Sequence, residues 1–217
     1  MKTKLFLTLG VAMAMTTFSY AQSKTTFGIR AGGNLFTVNG EDLNGDDLDL
    51  KLKPGFNVGI NAEIPVGIDF YLQPGVIFSQ KGYKFDGDDD DKVNISYVEV
   101  PVNFIYKPEL GTGKMLLGFG PYFGVAVGAS YKPDGSGEDV DYKFKSDLTA
   151  AEAVGTTPYL KRFDAGGNLL VGYEFANKLS FQLNAQLGML KINPTVEGDE
   201  YGKMKNTGFG LSLGYRF

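Results

Sequence analysis

The stretch Thr207-Gly208-Phe209-Gly210-Leu211-Ser212-Leu213-Gly214-Tyr215-Arg216-Phe217 decides the fold. Phe209, Leu211, Leu213, Tyr215 and Phe217 fall on one side of a two-residue period, with Gly208, Gly210, Ser212, Gly214 and Arg216 on the other. Successive side chains of a strand point to opposite faces, so this strand has one apolar face and one face of small and polar groups. Leu179–Ile192 repeats the pattern, with Phe181, Leu183, Ala185, Leu187 and Met189 opposite Ser180, Gln182, Asn184, Gln186 and Gly188. Working back along the chain, the same alternation marks Thr25–Phe36, Gly55–Ile64, Ile68–Phe85, Val93–Tyr106, Lys114–Tyr131 and Arg162–Phe175, which makes eight strands.

The polar face is the informative one. A barrel that keeps its apolar face inside must show water a face rich in Lys and Glu. Here that face holds Gly28, Gly32, Gly55, Gly59, Gly118, Gly120, Gly124 and Gly128, with Asn, Gln and Ser and few charges. Such residues suit the crowded interior of a narrow eight-stranded barrel, which side chains just fill, while the apolar face suits lipid. The expectation is an all-β, eight-stranded, antiparallel up-and-down transmembrane barrel. A soluble periplasmic ligand-binding barrel is the opposite orientation of the same pattern.

Connections alternate short and long. Pro65-Val66-Gly67, Lys107–Gly113 and Ala176-Asn177-Lys178 read as tight turns, whereas Thr37–Lys53, Asp86–Lys92, Lys132–Lys161 and Asn193–Asn206 are longer and polar. Short periplasmic turns with long outer loops are the outer-membrane pattern, which puts both termini in the periplasm. The longer connections are net acidic, so the acidity is expected outside. Phe27, Phe70, Phe104, Tyr106, Tyr173, Phe175, Phe181, Tyr215 and Phe217 all fall on the apolar face near one barrel end, where an aromatic girdle would mark a membrane interface.

Residues 1–21 read as a secretion signal, with Lys2 and Lys4, an apolar run Leu5–Met15 and Ser19-Tyr20-Ala21 before the cut; residues 22–217 form the barrel domain. The apolar run is too short to span a bilayer, which takes about 20 residues.

Four segments carry a family resemblance: Phe27-Gly28-Ile29-Arg30-Ala31-Gly32-Gly33-Asn34, Tyr71-Leu72-Gln73-Pro74-Gly75, Tyr97-Val98-Glu99-Val100-Pro101-Val102 and Gly210–Phe217. With them the mature chain resembles the PorT-like outer-membrane β-barrel family of Bacteroidota. The resemblance implies an eight-stranded barrel and a terminal aromatic, Phe217, read by the barrel-assembly machinery. It implies no activity.

The chain has no Cys and no His. That excludes disulfides, thiolate metal sites and the Ser/His or Asp/His constellations on which the enzyme barrels of this membrane rely. No enzyme, cofactor or nucleic-acid partner is expected; the expected neighbours are outer-membrane lipid and lipopolysaccharide. Inward charges should be Arg30, Glu63, Glu99, Glu174 and Arg216, alongside Asn57, Asn61, Gln73, Asn103, Asn168, Gln182, Asn184 and Gln186. They form either a structural plug of ion pairs and amides or a gated ion path, and the plug takes precedence because eight strands leave little lumen. Asp86, Asp88, Asp89, Asp90 and Asp91 could gather a divalent cation, although their spacing is not that of an EF-hand and a solvated loop tip explains them as well. Thr149-Ala150-Ala151-Glu152 has capping-box spacing, with Gly155 available as a stop. Function therefore reads as a structural or surface-interaction barrel, with a narrow pore or an accessory to a transport or secretion machine as the alternative.

Overall fold

The structure is a computed structural model, and it describes residues 24–41, 45–85, 91–133, 138–199 and 202–217. Eight long strands form the barrel: β1 (Thr26–Glu41), β2 (Leu50–Gly67), β3 (Phe70–Phe85), β4 (Lys92–Tyr106), β5 (Gly113–Lys132), β6 (Phe163–Glu174), β7 (Leu179–Gly188) and β8 (Lys203–Arg216). Each pairs antiparallel with its neighbours in sequence, and β8 returns to β1, so the sheet closes and no edge remains. Following paired residues sideways from Gly28 through Asn61, Tyr122, Gly166 and Gly188 returns to β1 at Val38, ten residues farther along. At 3.3 Å per residue and 4.8 Å between strands, that stagger corresponds to a tilt of about 40° and a radius of about 8 Å.

The orientation is lipid-facing. Phe209, Leu211 and Leu213 are 49%, 52% and 69% exposed, whereas Ser212 between them is 2% exposed. Along β3 the outward set runs Phe70, Leu72, Pro74, Val76 and Phe78 before it reaches Gln80. Ten residues at this tilt rise about 25 Å, the height of the apolar band of such barrels.

Several boundaries differ from the sequence reading. β1 runs on to Glu41, β2 begins at Leu50 and β8 begins at Lys203, so the connection expected over Thr37–Lys53 shrinks to the residues between Glu41 and Leu50. The strands outrun the apolar band because they go on pairing above it, Thr37 with Thr207 and Glu41 with Lys203, where Lys203 Nζ also meets the Glu41 carboxylate at 2.8 Å. The first tight turn is Ile68-Asp69, and the expected turn Pro65-Val66-Gly67 belongs to β2. Asp69 supplies the left-handed backbone (φ 60°) that a tight hairpin needs, a conformation that Asp tolerates. β7 stops at Gly188, short of Ile192.

The connection between β5 and β6 is structured. Val140-Asp141 pairs with Ser130-Tyr131, Lys143-Phe144 lies parallel to Tyr159-Leu160, and Asp147-Leu148 lies parallel to Thr195-Val196 from the β7–β8 connection. Between them sits one helical turn, α1 (Ala150–Ala153), with the capping box in place: Glu152 N–H donates to Thr149 Oγ1, and Thr149 N–H donates to the Glu152 carboxylate. The turn ends on Val154 and makes no use of Gly155 as a left-handed stop.

The interior is less uniformly polar than the alternation suggested. At the long-connection end, here called the mouth, Val38, Tyr83, Val93, Ile95, Tyr97, Ala126, Leu160 and Ile192 form a buried apolar cluster. Leu160 and Ile192 come from the connections and pack into the mouth. The expected leader, residues 1–21, lies outside the described residues.

Inward glycines make room for the neighbouring strand. A Cβ on Gly120 would stand 2.0 Å from the Val102 carbonyl oxygen and 2.7 Å from Asn103 Cα, both backbone atoms that cannot rotate away. Gly120→Leu is expected to lower stability by about 1–3 kcal/mol, read as a lower urea midpoint of the barrel refolded in detergent.

Candidate functional site: the filled lumen and its cap

Two ionic clusters sit inside the barrel. At the turn end, Lys107 Nζ lies 2.7 Å from Glu63 Oε2 and 2.9 Å from Glu174 Oε2, and Arg216 Nη2 lies 2.8 Å from Glu63 Oε1. Gln73 Nε2 donates to Glu63 Oε1 (3.1 Å), Arg216 Nη2 donates to Asn61 Oδ1 (2.9 Å), and the Tyr71 ring lies 5.2 Å from the Lys107 ammonium. Two cations face two carboxylates, so the cluster is neutral.

Nearer the mouth, Lys81 Nζ is 2.5 Å from Glu99 Oε1 and 3.2 Å from Asp164 Oδ2, with all three side chains at most 1% exposed. Tyr122 Oη and Asn206 Nδ2 donate to Asp164 Oδ2 (3.3 and 2.9 Å), and Gln186 Nε2 donates to Glu99 Oε2 (3.2 Å). Phe36, Tyr97 and Tyr122 present ring faces to the Lys81 ammonium at 4.8, 5.2 and 4.4 Å. A buried ammonium needs this much compensation, because desolvating a charge costs several kcal/mol.

The two clusters are separated by amide and hydroxyl pairs and by an apolar layer. Asn168 Nδ2 donates to Asn103 Oδ1 (2.8 Å), Asn34 Nδ2 to Ser79 Oγ (3.2 Å) and Ser212 Oγ to Asn57 Oδ1 (3.1 Å). Ile105, Leu116 and Leu170 form the apolar layer, against which Tyr71 packs. Arg30 and Glu99 line a void of about 20 Å³ with Asn34, Asn57, Ser79 and Gln186. A single water needs about 10–15 Å³, so this space does not accommodate a file of hydrated ions.

Of the luminal charges expected from sequence, Glu63, Glu174 and Arg216 come together, while Glu99 joins Lys81 and Asp164, and Arg30 lines the void beside Glu99. Sequence reasoning missed Lys81, Lys107 and Asp164, the residues that complete both clusters. The period-two count carries them: Gln73 leads inward through Gly75, Ile77 and Ser79 to Lys81, and Asn168 leads back through Gly166 to Asp164. Lys107, expected at the start of a turn, continues the inward set Asn103 and Ile105.

Aromatic rings meet one another on the outer wall near the turn end. Phe70 stacks on Phe104 and Tyr106 (5.4 and 4.8 Å), Tyr173 meets Phe175 and Phe181 (5.1 and 6.3 Å), and Tyr215 meets Phe217 (5.5 Å). Phe27 is exposed, and its carbonyl accepts from Phe217 N–H (2.8 Å). Of the aspartates considered for a divalent cation, Asp86, Asp88, Asp89 and Asp90 lie outside the described residues. Asp91 Oδ2 accepts from Tyr131 Oη (2.9 Å).

The cap over the mouth is tied by polar contacts. Lys145 Nζ pairs with Glu152 at 2.6 Å, and Asp147 Oδ1 accepts from Thr195 Oγ1 (2.6 Å) and Gly198 N–H (3.0 Å). The Lys145 ammonium first, and then the Thr149 N–H, draw the Glu152 carboxyl from 4.5 down to about 2. The Thr195 hydroxyl and the Gly198 N–H lower Asp147 in the same direction.

Residues 7–192 match the family described as the outer membrane protein beta-barrel domain. The chain belongs to that family. This outer-membrane barrel is similar to solved structures at low identity. Ail, the attachment invasion locus protein of Yersinia pestis, is 14% identical, with 89% of this chain and 99% of that chain covered and a TM-score of 0.44. Neisserial surface protein A (16% identity, 89% and 98% covered, TM-score 0.45) and OprG from Pseudomonas aeruginosa (13%, 88% and 95%, 0.46) are also similar. No curated protein matches the chain.

Removing one partner of a buried ion pair strands the other. Lys81→Met is expected to cost about 3–5 kcal/mol, and adding Glu99→Gln and Asp164→Asn to recover much of that loss; urea titrations in detergent measure both. For the cap, a carboxyl whose folded pKa is depressed contributes stability that is complete above its unfolded value and is lost as pH falls through the folded one. Protection of the α1 amides, taken relative to their intrinsic exchange rates, should therefore hold above pH 4.5 and fall toward pH 2, and Glu152→Gln should flatten that dependence.

Proposed function

We propose that this outer-membrane barrel is a closed scaffold that holds a folded cap at the cell surface, and that its function is surface interaction and not passage through the lumen. The observation that carries the reading is the filled interior: two ionic clusters, an apolar layer between them and an apolar plug at the mouth. An open pore keeps a polar, hydrated axis, and each of these layers interrupts one.

The short turns and both termini then lie in the periplasm, residues 1–21 are removed on export, and the β5–β6 and β7–β8 connections face outward. The aromatics from Phe27 to Phe217 form the inner interface girdle, where a ring can sit half in lipid. Phe217 is presented to the barrel-assembly machinery, and the chain falls in the PorT-like branch of its family. The hard oxygen donors of Asp86–Asp91 are suited to loose divalent-cation binding at the surface.

Planar-bilayer recording of the refolded protein tests the central statement. No steady conductance is expected from the native barrel. Regular steps abolished by Glu99→Gln or Glu174→Gln would overturn the scaffold reading in favour of transport.

A further inference from the structure

We propose that a row of lysines on the outer wall, just beyond the apolar band, seats the phosphate groups of an outer-leaflet glycolipid; the inference rests on the mouth facing outward. Tyr83 and Val93 pair across β3 and β4, and both are buried in the mouth cluster. The next residues along, Lys84 and Lys92, also pair and therefore stand on the outer wall. Lys92 pairs in turn with Lys132 across β4 and β5, one residue beyond Tyr131, which packs against the same cluster. On the other side Lys84 pairs with Lys51. Four lysines thus lie in direct cross-strand register on four adjacent strands.

Like charges placed directly opposite in a sheet repel, so this arrangement destabilises the bare protein. The Lys53 ammonium, disfavoured first by burial, is also repelled by Lys92 and Lys84. None of the ion pairs among the described residues involves Lys84, Lys92 or Lys132.

Position selects the partner. Lys84 lies four residues beyond Gln80, about 10 Å farther up the wall at this tilt, and the lysine stem can reach back toward the membrane. That height belongs to headgroups and not to hydrocarbon. Between the row and the band, the outward residues Gln80, Asn94 and Ser130 offer neutral hydrogen-bonding groups suited to sugar hydroxyls. A headgroup at this height meets ammonium groups, which bind phosphate as compact point charges.

The test uses the full mature chain refolded in detergent and mixed with lipid A, either diphosphorylated or enzymatically dephosphorylated. Amine acetylation followed by mass spectrometry reads each lysine. Diphosphorylated lipid A should protect Lys84, Lys92 and Lys132 but not the exposed Lys143 in the cap or Lys178 at the turn end. At about fivefold in affinity per lysine near a charged lipid surface, the triple variant Lys84→Gln, Lys92→Gln, Lys132→Gln should bind on the order of a hundredfold more weakly, and Arg in the same three places should retain binding. Heat-modifiable gel mobility confirms that each variant is a folded barrel. The proposal is overturned by unchanged binding of the triple Gln variant, or by equal protection from dephosphorylated lipid A. Equal protection by inorganic phosphate alone, or loss of wild-type binding on chelating divalent cations, overturns it too. Protease accessibility of the cap on whole cells reads the orientation separately, so failure of the lysine row and failure of the outward mouth are distinguishable.

Discussion

Closing the hydrogen-bond ladder is the constraint on which everything else depends. Within hydrocarbon no water can satisfy a stray N–H or C=O, so the eight strands must pair all the way round, β8 with β1, and leave no edge. Closure with a stagger of ten residues sets the radius near 8 Å. The radius in turn dictates the interior: inward positions must be glycine wherever the opposite wall comes close, as at Gly120, and polar side chains must find one another across a narrow space.

Closure also explains how the charges can be tolerated. Each luminal carboxylate would be costly alone, yet the tilt brings Glu63 from β2, Glu174 from β6 and Arg216 from β8 to a common level with Lys107. The same geometry gathers Lys81, Glu99 and Asp164 under three aromatic rings. The clusters tie distant strands together, at a net gain that depends on every partner being present. The apolar plug above them forms by ordinary hydrophobic burial, to which the connections contribute Leu160 and Ile192.

Outside the membrane the molecule behaves like a small soluble protein. The cap has its own short parallel pairings, a capped helical turn and surface ion pairs, and it packs Leu160 and Ile192 into the barrel mouth. Below the cap, Lys51, Lys84, Lys92 and Lys132 stand in register across four neighbouring strands.

The two-residue alternation in Thr207–Phe217 and its seven repeats determined the barrel, the number of strands and which face meets lipid, because the pleat sends every second side chain to the same environment. Composition alone removed histidine and cysteine chemistry. The inward identity of Glu63, Glu99, Glu174 and Arg216 was equally legible, since parity along a strand is local. Tertiary structure decided which of them meet. Lys81 and Asp164 are 83 residues apart and share an ion pair only through the tilt and stagger of the closed sheet, which no single segment encodes. The apolar mouth was hidden for a related reason: Val93, Ile95 and Tyr83 lie on the inward parity but above the membrane, and height along the axis depends on the barrel as a whole.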